Sequence, residues 1–92
     1  QLEANGIVAK AFPNPFHYTT TIEFTMKNYC STVSVEIFSL NGEKVATLYQ
    51  GEVNGGQVKR LDFNADKLAD GIYVYRIATN DNVYYDKLIL NK

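Results

Sequence analysis

Ninety-two residues with one cysteine, two prolines and no tryptophan make one domain near the lower end of the usual size range, with enough chain to bury a core of its own. Nine Lys and Arg stand against ten Asp and Glu for a net charge of −1, and neither half is basic enough to neutralise a row of phosphates, which argues against a nucleic-acid partner. Apolar residues at 46% are too many for a disordered tail, while the apolar runs fall far short of the roughly twenty residues a membrane-spanning helix needs.

Gln1–Gly6 reads as a linker from the preceding part of a longer polypeptide, because the chain opens with neither an initiator methionine nor a signal peptide. Residues 7–92 then form the domain. Turn formers recur along it at Asn5-Gly6, Pro13-Asn14-Pro15, Asn28, Asn41-Gly42, Asn54-Gly55-Gly56, Asp70-Gly71 and Asn80-Asp81-Asn82. So regular a beat predicts a sandwich or barrel of short antiparallel strands.

The first strand is expected over Ile7–Phe12. Ile22, Phe24 and Met26 then alternate with Thr21, Glu23 and Thr25, giving one buried and one wet face. Val33, Val35 and Ile37 alternate with Ser34, Glu36 and Phe38, a strand with apolar side chains on both faces. Asn41-Gly42 suits a type I′ turn that leads into Lys44–Tyr49 as a hairpin. Gln57–Phe63 places Lys59, Leu61 and Phe63 on one side. Asn64–Ala69 has a capping residue and helix formers, with room for a single turn. Ile72–Thr79 and Val83–Asn91, rich in β-branched and aromatic residues, make a final hairpin. The sum is seven strands and no long helix, an all-β immunoglobulin-like antiparallel sandwich. Ile22, Phe24, Val35, Ile37, Leu61, Phe63, Leu68, Val74, Leu88 and Leu90 are its expected core. Gly71-Ile72-Tyr73 resembles the tyrosine corner of such folds, in which a Tyr near the start of a late strand bonds back across the preceding turn. Tyr75 stands where antibody domains carry a cysteine, so the disulfide version is excluded.

Residues for catalysis are sparse. His17 is the only histidine, so any imidazole base must use it. Cys30 lies at the other end of the strand that follows, on the order of 20 Å away. Asp62, Asn64 and Asp66 have the alternate spacing that opens a calcium loop, but Lys67 and Tyr73 stand where that loop needs Gly and Glu. No catalytic residue, metal site or cofactor is expected. Of seven tyrosines, Tyr75 with Tyr84 or Tyr85 would make a carbohydrate platform if exposed together, and a core or cross-strand pair if not.

The ordered motifs carry more. Phe12-Pro13-Asn14-Pro15-Phe16 is followed by Thr19-Thr20-Thr21-Ile22-Glu23-Phe24. Next come Val33–Val45 with its central Leu40-Asn41-Gly42, then Leu68-Ala69-Asp70-Gly71-Ile72-Tyr73, and finally Lys87-Leu88-Ile89-Leu90-Asn91-Lys92. This series resembles the C-terminal sorting domain of the type IX (Por) secretion system, type A, over nearly the whole chain. The resemblance implies a non-catalytic signal of Bacteroidota. Such a signal carries an N-terminal passenger from the periplasm through the outer-membrane translocon. A sortase-like cysteine protease then removes it, with the cut expected in or just before Gln1–Gly6, and attaches the passenger to the cell surface. It also makes Gly71, Tyr73, Lys87 and Lys92 recognition candidates, to which Pro13 and Pro15 are added as residues that keep the entry segment out of a central strand. A receptor is expected to read the lysines together with a free edge of the last strand. One departure stands out, since Gln57-Val58 follows the glycine pair where the family often has an aromatic. No membrane insertion is expected, and a homodimer through edge strands is. Two rivals are a surface binding module, such as one for carbohydrate, and an immunoglobulin-like spacer of an extracellular enzyme.

Overall fold

The computed structural model describes residues 2–4, 6–80 and 82–92, with side chains from Gly6 onward. The seven expected strands all form, and a three-residue strand precedes them within the expected linker. In chain order they are β1 (Leu2–Ala4), β2 (Ile7–Phe12), β3 (Thr19–Met26), β4 (Cys30–Ser39), β5 (Lys44–Val53), β6 (Val58–Asn64), β7 (Gly71–Ala78) and β8 (Val83–Leu90). They make two four-stranded sheets, β1-β2-β3-β6 and β5-β4-β7-β8, antiparallel at every strand pair. The architecture is that of an immunoglobulin-like β-sandwich.

Period-two alternation decides which face each strand buries. In β3, Thr20, Ile22, Phe24 and Met26 point inward, and in β4, Val33, Val35 and Ile37 do so. Across the interior they meet Ile7, Phe16, Phe63, Tyr73, Tyr75, Ile77, Tyr84, Leu88 and Leu90, all buried. Leu61 and Leu68 are only partly buried against this cluster.

Val74 departs from expectation. In β7, Tyr73, Tyr75 and Ile77 share one face and Ile72, Val74 and Arg76 the other, so the single charge marks the second face as the outer one, and register agrees. Ile37 pairs with Tyr75 and Phe38 with Val74. The tyrosines therefore follow Ile37 inward, and Val74 stays half-exposed outside beside Phe38. The outer side of Phe38 is covered by the Arg76 guanidinium, 5.2 Å from its ring centre.

One turn differs from its sequence reading. In the β4–β5 hairpin, Gly42 N–H donates to Ser39 O at 3.0 Å and Ser39 N–H to Glu43 O at 2.8 Å. The loop is thus the three residues Leu40-Asn41-Gly42, closed by Gly42 at φ +88°, the bulged alternative to a two-residue type I′ turn. Residues 64–69, by contrast, form the single hydrogen-bonded turn for which room was expected. Asp66 N–H donates to the Asn64 side chain at 2.8 Å and Leu68 N–H to Ala65 O at 3.0 Å. Of the turn at Asn80-Asp81-Asn82, Asp81 lies outside the described residues, as do Gln1 and Asn5 of the expected linker. Between the sheets, a Cβ on Gly55 would meet Lys27 O at 3.0 Å, so the loops after β3 and β5 touch only because that side chain is absent.

Candidate functional site

β8 is an edge strand, and an unpaired edge is a row of orphan donors and acceptors. Half of this one is filled from within the chain. Beyond β2 the chain turns through Pro13-Asn14-Pro15, both prolines in cis linkage, and lays Phe16 beside Leu90 as a parallel bridge. Phe16 N–H donates to Ile89 O at 2.9 Å, and Asn91 N–H donates to Phe16 O at 2.9 Å.

Two residues upstream, the Asn14 side chain continues the ladder. Its Nδ2 donates to Lys87 O at 2.9 Å, and its Oδ1 accepts from Ile89 N–H at 2.9 Å. A carboxamide carries a donor and an acceptor side by side, as a peptide unit does, so Asn14 serves as one more strand residue. The segment is fastened underneath. Phe16 is fully buried with its ring 6.2 Å from that of Phe63, and buried Thr20 donates to Pro13 O at 2.7 Å. Pro13 and Pro15 bring no N–H that would need a partner.

The other recognition candidates gather round this clasp. Tyr73 Oη donates to Ala69 O at 2.7 Å, which is the tyrosine corner, with the ring buried. Gly71, at φ +150°, starts β7 opposite Leu90, and Val74 lies opposite Lys87. Lys92 N–H donates to Asp70 Oδ1 at 3.0 Å, and its ammonium donates to Asp66 O at 2.7 Å, 5.9 Å from the Tyr18 ring centre. His17 Nδ1 lies 2.8 Å from Asn91 O, and Ala65 N–H donates to Tyr18 O at 2.8 Å. Pro13, Pro15, Gly71, Tyr73, Lys87 and Lys92 thus surround one end of the sandwich, where β8 finishes.

The expected free edge beside the lysines is absent, because Asn14 and Phe16 occupy it from Lys87 to Asn91. Sequence reasoning also missed Phe16 as a core residue, although an aromatic directly after a proline pair was the available signal.

The remaining chemical candidates stay apart. Cys30 opens β4, its thiol 3.2 Å from Thr32 O, while His17 is at the β8 end. The eight residues of β3 separate the two, on the order of 25 Å. Asp62 Oδ1 accepts from Thr21 at 2.9 Å and Asn64 caps its own turn, so neither is held for a cation. Among the described residues, no three His, Cys, Asp or Glu side chains converge as a metal site would need.

The carbohydrate platform is not formed. Tyr75 is fully buried and Tyr84 nearly so, their rings 6.1 Å apart, and Tyr85 is exposed without them. Burial raises both buried phenols above their ordinary range, with the neighbouring Tyr84 and Asp86 adding to the effect at Tyr75. Both remain neutral hydroxyls. On the outer face, Glu36 accepts from Lys44 at 3.2 Å and from Arg76 at 2.6 Å. Burial pushes this carboxyl upward, but the two cations outweigh it and hold it below its ordinary value.

Among the described residues, no helix is long and apolar enough to cross a membrane. No curated protein matches the chain. The family model described as a secretion system C-terminal sorting domain matches residues 10–91, a span that takes in the clasp, the corner and the whole of the last strand. With its sandwich fold and its motifs gathered at one end, the chain belongs to the non-catalytic C-terminal sorting domains of the type IX secretion system.

Proposed function

We propose that this domain carries an N-terminal passenger from the periplasm through the outer-membrane translocon by presenting the surface around the end of β8. The observation that carries this reading is convergence. Pro13 and Pro15 lie more than fifty residues from Gly71, Tyr73, Lys87 and Lys92 in sequence, yet Pro13, Pro15, Lys87 and Lys92 gather at one clasp, with Gly71 and Tyr73 across β8 from it on β7. Strands alone do not require that, since the sandwich has another end and two outer faces for such residues.

A sortase-like cysteine protease is the second partner, cutting in or just before Gln1–Gly6 and leaving the passenger at the cell surface. His17 and Cys30 take no part in that chemistry, because the domain is the substrate. A homodimer through edge strands is a third association in this reading, and the clasp leaves it the Val83–Tyr85 part of β8 together with the N-terminal strand β1, β5 and β6.

The test is a signal peptide and reporter fused ahead of residues 1–92, expressed in a bacterium that has this secretion system. Reporter at the cell surface or in the medium, cleaved near residues 1–6, is the expected result. Retention in the periplasm by the intact fusion would defeat the proposal. Light scattering on the isolated domain checks the dimer, and a monomer at all concentrations removes it.

A further inference from the structure

The clasp decides what a partner meets at the end of β8. A strand added over Lys87–Asn91 would first have to remove Phe16 from full burial and break the bonds made by Asn14 and Phe16. It would return only equivalent backbone bonds, so the exchange runs uphill. The clasp is itself a poor template for a further strand, since Pro13 and Pro15 present no N–H.

Resting on the sorting reading above, we infer that Asn14 is a positioning residue of the recognition surface. Its carboxamide shuts the β8 edge and fixes the outward Pro13 and Pro15 beside the side chains of His17, Tyr18 and Lys92. The secretion machinery reads those side chains, not a strand edge.

The side-chain chemistry is narrow. Alanine loses both bonds. Aspartate keeps the acceptor for Ile89 but sets an oxygen against Lys87 O. Glutamine moves the amide out by a methylene. Asn14 takes no part in the core, so its effect passes entirely through the segment it holds.

Two measurements on Asn14→Ala test this. Amide exchange at Ile89, whose N–H faces the clasp, is expected to accelerate by about tenfold or more, while Leu88, which faces β7, keeps its protection. In the reporter fusion, Asn14→Ala loses surface export, whereas Ile77→Val, a core truncation at the far end of β7, exports like the parent. Asn14→Asp is the milder second variant, expected to keep part of the protection at Ile89 and to export between the parent and Asn14→Ala; full protection at Ile89 with export as poor as that of Asn14→Ala overturns the inference. Unchanged exchange at Ile89 overturns the inference, and so does export of Asn14→Ala equal to that of Ile77→Val. Failure of the unsubstituted fusion to leave the periplasm instead overturns the sorting reading, and it is told apart because it needs no substitution.

Discussion

Tyr73→Phe isolates the tyrosine corner. The ring is 8% exposed and remains in place, so the substitution removes one oxygen and its 2.7 Å bond to Ala69 O. A net intramolecular hydrogen bond is worth about 0.5–1.5 kcal/mol, with more lost when the abandoned partner stays dry. Ala69 is exposed, so water reaches its carbonyl, and the expected loss is about 1 kcal/mol. For a domain of this length that lowers the thermal midpoint by roughly 4–8 °C. Tyr73→Ala adds the loss of the buried ring, at about 3–5 kcal/mol by analogy with Phe truncations. Urea titration of parent, Tyr73→Phe and Tyr73→Ala, with Tyr85→Phe as an exposed control, measures both steps. If Tyr73→Phe matches Tyr85→Phe within error, the corner bond does not hold the turn before β7 and the reasoning fails.

Phe16→Ala is expected to cost about 3–5 kcal/mol, a large share of the roughly 5–15 kcal/mol that keeps a domain folded, and urea unfolding measures it. Lys87→Ala with Lys92→Ala is expected to shift stability by about 1 kcal/mol or less, because exposed charges contribute little, while the fused reporter stays in the periplasm; surface assay and thermal scan together check it. Glu36 gives a pH signature. Its folded value lies below the ordinary 4.5, so its contribution is whole above the unfolded value and is lost as pH falls through the folded one. Thermal scans across that acidic window are expected to be flatter for Glu36→Gln than for the parent.

Alternation and turn spacing made the strands legible, because β3 and β4 each keep one consistently apolar face. They were weakest at β7, where Arg76 alone marks the Ile72-Val74 face as the outer one and pairing with β4 agrees that Tyr75 goes in and Val74 out. The Gly71-Ile72-Tyr73 corner was legible because its bond is local, reaching back four residues. The clasp was not. An asparagine that imitates backbone leaves no periodic trace, and its partners lie 73 and 75 residues away. Pro13-Asn14-Pro15 announced a break in the strand without saying where the broken segment docks. The Asn41-Gly42 turn was placed correctly and its loop length was not, since Asn-Gly is compatible with both a two-residue and a bulged loop.

The clasp also bears on timing. Asn14 and Phe16 leave the ribosome among the first residues of the domain and find their partners only among the last, at Lys87–Asn91. Long-range pairing of this kind forms late and slowly, since loop closure must precede the contacts that reward it. Until β8 is in place, Phe16 has no bridge to dock on and Lys92 has not met Asp66 or Asp70. A chain truncated or stalled before its final strand therefore shows no such surface. The contacts that shape this end of the domain thus depend on Lys87–Lys92 being translated and folded, although the residues they hold lie near the start of the domain.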